Sequence, residues 1–263
     1  MNTKTPHSYS TLLLNDTSDY HFGCKKVVES FVFDGSIKTN EYASADSVNY
    51  KKYDKVILNG EGTMHHSSSI GLTFLDALYR AQQFGCETEL LNTVWQDMPN
   101  HKALAGCSRI TVREPLSQSA LHINNIDSEI VPDRCLMHSV EEQKYPHITI
   151  YRGQYFNSNN SHKHNDYPRI NIFEQDWDEI VNRLRNSDLL ITGRHHEMYA
   201  SIKARCKFIV TKGNSWKNEG LIKPFGLSTS MIPDDVLSGK YDSQFNDLFD
   251  YCESTIQQYK ETL

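Results

Sequence analysis

Short apolar runs alternating with amphipathic stretches constrain this chain more than any other feature. KVILNG (55–60) is a strand-length run that stops at a glycine. GLTFLDALYRAQQFG (71–85) places Leu72, Phe74, Leu75, Leu78 and Tyr79 at helical spacing before Gly85, and TELLNTV (88–94) is strand-like again. Such switching implies parallel strands, because only a helix-length crossover returns the chain to the same end of a sheet. STLLL (10–14) reads as a first strand with a helix, KKVVESFVF (25–33), behind it. SRITV (108–112) reads as a strand, EPLSQSALH (114–122) as a helix with Pro115 in its first turn, and SEIVPD (128–133) as a short strand ended by proline.

The pattern breaks between about 137 and 175. There HITIY (147–151) is a strand and GQYFNSNNSHKHNDYPRIN (153–171) reads as an exposed polar loop, whose His162 and His164 lack acids at ligand spacing. A second alternating block follows: helix DWDEIVNRLRNS (176–187), strand DLLITG (188–193), helix HEMYASIKAR (196–205) and strand KFIVT (207–211). SQFNDLFDYCESTIQQYKETL (243–263) is a long amphipathic helix placed to pack back across the first block. The expected fold class is α/β, with parallel sheets covered by helices. It comprises two Rossmann-like domains, 1–140 and 141–263, facing a cleft.

Composition narrows the function class. With 38% hydrophobic and 23% charged residues and a net charge of −6, the chain suits a soluble globular protein and lacks the basic excess of a nucleic-acid binder. Apolar stretches of about five residues are far below the roughly 20 that span a bilayer, and MNTKTPHSYS has no signal-peptide core. Six cysteines with no CxxC pair read as reduced thiols, mostly in the core, and point to the cytoplasm. Peripheral membrane contact and oligomeric state stay open.

Ligands of parallel α/β sheets bind beyond the carboxyl ends of the strands, so polar residues at strand exits are the site candidates. Asp16, Thr17 and His21 follow the first strand, Gly60, Glu61 and Gly62 the second, Arg113 the strand at 108–112, and Asp133 the strand at 128–131. Arg194, His195 and His196 follow DLLIT, and Asn214 and Ser215 follow KFIVT. Gly60 and Gly62 let the backbone approach a ligand and aim Glu61 from a tight turn, or simply make a strand-to-helix turn. Asp16 and Thr17 either cap a helix or bind an acceptor sugar. GRHH (193–196) combines a fork of guanidinium donors with two proton carriers at a helix N-terminus, where anions are favoured; the plainer role is a salt bridge and a cap. Glu61 with His65 and His66 does not match a zinc-protease motif, and no metal is expected.

With these residues assembled, the chain resembles the polysaccharide pyruvyl transferase family. The likeness runs from NDTSDYHFGC through VILNGEGTMHH, RITVREPLS and VPD to ITGRHHEMYASIKARCKFIVTKGNSWKNEGLI. Arg194 and His196 match the family's Arg-x-His, and Arg113 its upstream arginine. His195 stands where an apolar residue is usual, the first loop reads Asn-Asp-Thr-Ser-Asp in place of Gly-Asp, and the second domain is abbreviated. The resemblance implies a GT-B-like fold and ketal transfer of pyruvyl from phosphoenolpyruvate to two hydroxyls of a surface glycan, with no further cofactor. Arg113 and Arg194 would clamp phosphate and carboxylate, His196 would protonate the enol carbon, and Glu61 or Asp133 would take a hydroxyl proton. The architecture also resembles glycosyltransferases that use CMP-activated Kdo or sialic acid, where Gly213–Ser215 would hold the nucleotide phosphate. A non-catalytic sugar-binding protein is the third reading.

Overall fold

The computed structural model describes residues 10–154 and 166–263, so His162 and His164 of the polar loop lie outside the described residues. The chain forms two compact units. One contains Met1–Thr17, Phe31–Val112 and Gln118–Glu129; the other contains Ser18–Ser30, Arg113–Ser117 and Ile130–Leu263.

The first unit is built on a sheet of order β2-β1-β3-β4-β5-β6, formed by β1 (Thr11–Asp16), β2 (Gly35–Lys38), β3 (Lys55–Asn59), β4 (Glu87–Thr93), β5 (Arg109–Val112) and β6 (Glu129–Ile130). Strands β1 to β5 pair in parallel, with Leu12 opposite Val56 and Leu58 opposite Leu90. Every residue of β1 is buried, which explains why it reads as a continuous apolar run. Helix α2 (Ser69–Gln83) starts where the Ser68 side chain accepts from Gly71 N–H, buries Phe74, Leu75 and Leu78, and is followed by Gly85 at φ 84°.

The second unit holds a parallel sheet of order β7-β8-β9: β7 (Ile148–Arg152), β8 (Ser187–Thr192) and β9 (Lys207–Val210). Around it lie α1 (Phe22–Glu29), α4 (Trp177–Arg185), α5 (His195–Ala204), α6 (Lys217–Ile222), α7 (Pro233–Leu237) and α8 (Asp242–Lys260). Helix α3 (Pro115–His122) begins in this unit and continues in the first. Leu189, Leu190, Tyr199, Phe208 and Phe245 are fully or almost fully buried here. All six cysteines are free thiols, five of them buried.

Three local expectations change. The helix expected at 25–33 spans Phe22–Glu29, because His21 accepts from Cys24 N–H and caps it earlier; it packs on α4, α5 and the 3-10 turn Arg134–Met137. The strand expected at 128–133 shrinks to Glu129–Ile130, since Pro132 has no N–H to donate and the Asp133 side chain caps the following turn. Strand β2 gave no periodic signal: GSIK is half-buried throughout. Helix α8 packs on α5 and on the turn Arg134–Met137, whose Arg134 donates to the Tyr259 hydroxyl at 2.8 Å.

Candidate functional site

In the first unit, the exits of β1 and β3 are held by one buried network. Asn15 is fully buried in the left-handed region, at φ 63°, where the β1–β2 register breaks. Asparagine tolerates this conformation better than most residues, and here its amide has work to do. It donates to Asn59 O at 2.6 Å and Thr63 Oγ1 at 3.2 Å, and accepts from the Thr39 hydroxyl at 2.8 Å. The turn that follows β3 puts Gly62 at φ 67° and buries Glu61. The Glu61 carboxylate accepts from Thr17 Oγ1 at 2.8 Å and Asn59 Nδ2 at 3.4 Å. Gly60 lies so close to Thr93 that any side chain there would collide with it. Asp16 accepts from the Ser36 hydroxyl at 2.8 Å. His66 pairs with Asp97 at 2.9 Å.

The second unit gathers four of the candidates on one oxygen. Asp133 is completely buried, and its Oδ2 lies 2.6 Å from Arg113 Nη1, 3.5 Å from His195 Nε2 and 3.7 Å from His196 Nε2. Its Oδ1 accepts from Cys135 N–H at 3.0 Å. Burial alone would raise the Asp133 carboxyl, but His196, His195 and Arg113 outweigh it and hold the group well below the carboxylate range. For His195 the balance runs the other way: burial and the Arg113 guanidinium push it toward the neutral form, against the pull of Asp133. The two histidines open helix α5, which starts directly after β8 with Arg194 as N-cap. Their rings meet edge to face at 5.4 Å, and His196 meets His21 the same way at 4.9 Å.

Arg194 is half-buried, with its guanidinium 5.2 Å above the Phe173 ring. Asn214 is half-buried and Ser215 buried in the segment before α6. Three further buried polar residues were given no site role from the sequence. Glu197, in the first turn of α5, accepts from Thr192 Oγ1 at 2.5 Å, Gln154 N at 2.9 Å and Ile172 N at 3.3 Å, and burial pushes its carboxyl up to about 7. Asn218 faces His195 Nδ1 at 3.3 Å. Glu114 caps α3 through Leu116 N and Ser117 N at 2.6 and 3.0 Å. Glu197 was legible as the acid of RHHE, and Glu114 as a glutamate before a helix-opening proline; Asn218 carried no signal.

Two sets of potential metal ligands share His196: one with His21 and Cys24, the other with Asp133 and Cys135. Both are already engaged. His21 Nδ1 accepts from Cys24 N–H at 3.2 Å, which leaves its Nε2 as the protonated nitrogen facing Cys24 Sγ at 3.5 Å. A metal-ligating histidine normally donates from its second nitrogen. In the other set, the Arg113 guanidinium already occupies the carboxylate.

The sequence matches no protein-family model and no curated protein. Solved structures do match. A UDP-N-acetylglucosamine 2-epimerase aligns at TM-score 0.55 and 9% identity over 92% of this chain and 90% of its own. A Listeria monocytogenes protein named as the same epimerase aligns at TM-score 0.57 and 8% identity, over 93% and 90%. An uncharacterized protein from Klebsiella pneumoniae aligns at TM-score 0.53 and 12% identity, over 82% and 88%. The fold is GT-B-like. The candidates follow its strand exits: Glu61 after β3, Arg113 after β5, Asp133 after β6, and the two histidines after β8. Among the described residues, no helix is long and apolar enough to cross a membrane.

Proposed function

We propose that the chain is a glycan-modifying transferase with an anionic donor, and that the donor is phosphoenolpyruvate, its pyruvyl group passing to two sugar hydroxyls as a ketal. The observation that carries this reading is the convergence of Arg113, His195 and His196 on Asp133 at the start of α5, with Arg194 as its N-cap. A helix N-terminus with an arginine and two proton carriers suits a ligand bearing phosphate and carboxylate. Arg194 binds the anion and His196 protonates the enol carbon. Asp133, ionised and hydrogen-bonded on both oxygens, orients these groups and is a poor base itself. Arg113 works through Asp133, to which it is paired.

The GT-B-like fold favours a second reading, in which the ligand is a nucleotide sugar, whether a CMP-keto sugar or the UDP-N-acetylglucosamine named for two structural neighbours. Thermal unfolding with phosphoenolpyruvate, CMP, UDP and UDP-N-acetylglucosamine separates the two. A rise in melting temperature with phosphoenolpyruvate that Arg194→Ala abolishes is the expected result. A rise with a nucleotide and none with phosphoenolpyruvate overturns the donor assignment.

A further inference from the structure

Tyr20 is 60% exposed, yet its ring belongs to a cluster. It meets the Phe173 ring edge to face at 5.5 Å, the two planes standing at 89°. His21 joins them: its ring lies 4.8 Å from Tyr20, 5.1 Å from Phe173 and 4.9 Å from His196. Phe173 in turn carries the Arg194 guanidinium 5.2 Å above its ring. Single exposed apolar side chains are common on any protein surface. This one is continuous, through a half-buried ring on each side, with the arginine and histidine at the start of α5.

Backbone bonds hold the cluster in place. Phe22 N–H donates to Ile172 O at 3.2 Å, tying the Tyr20 segment to the Phe173 segment. Phe173 N–H donates to Asn171 Oδ1 at 3.1 Å, and that oxygen also accepts from Gln154 Nε2 at 2.7 Å. Ile172 N–H donates at 3.3 Å to the carboxyl of Glu197, which is completely buried in the first turn of α5. Rings held this way lose little freedom when a ligand settles on them. His21 adds its ring, since its Nδ1 is spent on Cys24 N–H at 3.2 Å.

We propose that Tyr20 and Phe173 form an acceptor subsite, a corner that seats the apolar C–H face of a pyranose ring and turns its hydroxyls toward Arg194 and His196. The inference rests on the transferase reading for its purpose. A pyranose carries C–H groups on its faces and hydroxyls at its rim, so it is matched by aromatic surface beside a few polar groups. Two rings at a right angle suit a puckered ligand. A nucleobase, flat on both faces, is better held between parallel plates. The anionic donor on Arg194 and the sugar on the adjoining rings then meet at the start of α5.

Saturation-transfer NMR with irradiation of the protein's aromatic protons tests this on the full chain. The probes are the methyl pyranosides of glucose, galactose, mannose and N-acetylglucosamine, each with and without phosphoenolpyruvate. Ring C–H protons of at least one probe are expected to receive saturation. Tyr20→Ala is expected to weaken binding of that probe on the order of tenfold, while Tyr20→Phe holds it within about twofold. Phe173→Leu, which keeps apolar volume and removes the ring, is expected to weaken the same probe and decides the matter if Tyr20→Ala fails to fold. Transfer to none of the probes, transfer that both ring-removing variants leave unchanged, or a loss in Tyr20→Phe equal to that in Tyr20→Ala overturns the proposal. Saturation of the base protons of UDP that Tyr20→Ala removes, with none on the sugars, overturns it in favour of a nucleobase. The rise in melting temperature with phosphoenolpyruvate is expected to survive Tyr20→Ala; its loss there puts Tyr20 in the donor site and overturns the acceptor role. Sugar saturation in a wild-type protein that phosphoenolpyruvate does not stabilise counts against the donor assignment alone and supports the acceptor subsite.

Discussion

Removing one member of the Arg113–Asp133 pair should cost far more than removing both. The two side chains are 1% and 0% exposed and meet at 2.6 Å. Asp133→Leu takes its carboxylate from the buried Arg113 guanidinium, and Arg113→Met takes the guanidinium from a buried carboxylate that also faces one backbone N–H and two histidines. Each single change should lose about 3–5 kcal/mol, the usual penalty for an uncompensated buried charge. At roughly 2–4 °C per kcal/mol for a protein of this size, that amounts to a melting temperature lower by about 6–20 °C. The double variant exchanges two charges for apolar volume and should lose less than either single variant, giving a coupling of several kcal/mol. Urea unfolding followed by both circular dichroism and tryptophan fluorescence measures this, and coincident transitions justify a two-state analysis. Because Asp133 is held below its ordinary range, its contribution is complete above about pH 4 and fades only as pH falls through the folded value. The gap between wild type and Asp133→Leu should therefore stay constant from pH 8 to pH 5. Single variants losing less than about 1 kcal/mol, or a double variant losing the sum of the two, would refute the picture of a dry, mutually dependent pair.

Glu197 gives the opposite pH signature. Its folded carboxyl holds a proton up to about 7 against an ordinary value of 4.5, so stability should fall by about 3 kcal/mol as pH rises from 4.5 to 7 and then level off. Glu197→Gln should flatten that slope in urea midpoints taken across the range; an unchanged slope assigns it elsewhere. Gly23→Ala places a Cβ 2.6 Å from Cβ and Cγ of His196. Although alanine is the better helix former, the pyruvyl transfer proposed above should fall at least about tenfold, with the His196 ring signal displaced; an unmoved ring would break the link between this helix and the site. Asn15→Ala should cost about 2–3 kcal/mol through its left-handed backbone and lost amide bonds, while Asn15→Gly recovers the backbone part. Equal losses in chemical denaturation would mean that the backbone conformation carries no strain.

Most strands of both sheets were legible because burial in a parallel sheet writes apolar runs, and α2 and α8 write helical spacing beside them. Elements set by single polar contacts were not. Helix α1 begins where it does because the His21 ring accepts one backbone N–H, a signal one residue wide. β2 is held by pairing with β1 rather than by its own side chains, so GSIK carried no pattern. For the site, strand exits pointed to Arg113, Asp133, His195 and His196, residues separated by up to 83 positions that one carboxylate oxygen draws together. The logic of strand exits ranks positions, but it assigns no partners. It therefore gave no sign that Arg113 and Asp133 pair with each other at 2.6 Å.

His195 shows why that distinction matters. From the sequence, two adjacent histidines at a helix start look redundant, and the likeness to a family with an apolar residue at this position makes the first look like a substitution without a role. Burial changes the argument. A histidine 5% exposed, beside an arginine, is held there at an electrostatic cost unless its nitrogens have partners. Asn218 Oδ1 and Asp133 Oδ2 stand opposite its two ring nitrogens at 3.3 and 3.5 Å, and both oxygens can only accept. A ring between two acceptors satisfies both only when doubly protonated, and burial beside Arg113 opposes that charge. That opposition between hydrogen bonding and electrostatics is set by the surroundings of His195 in space, which is why the sequence around it gives no hint of it.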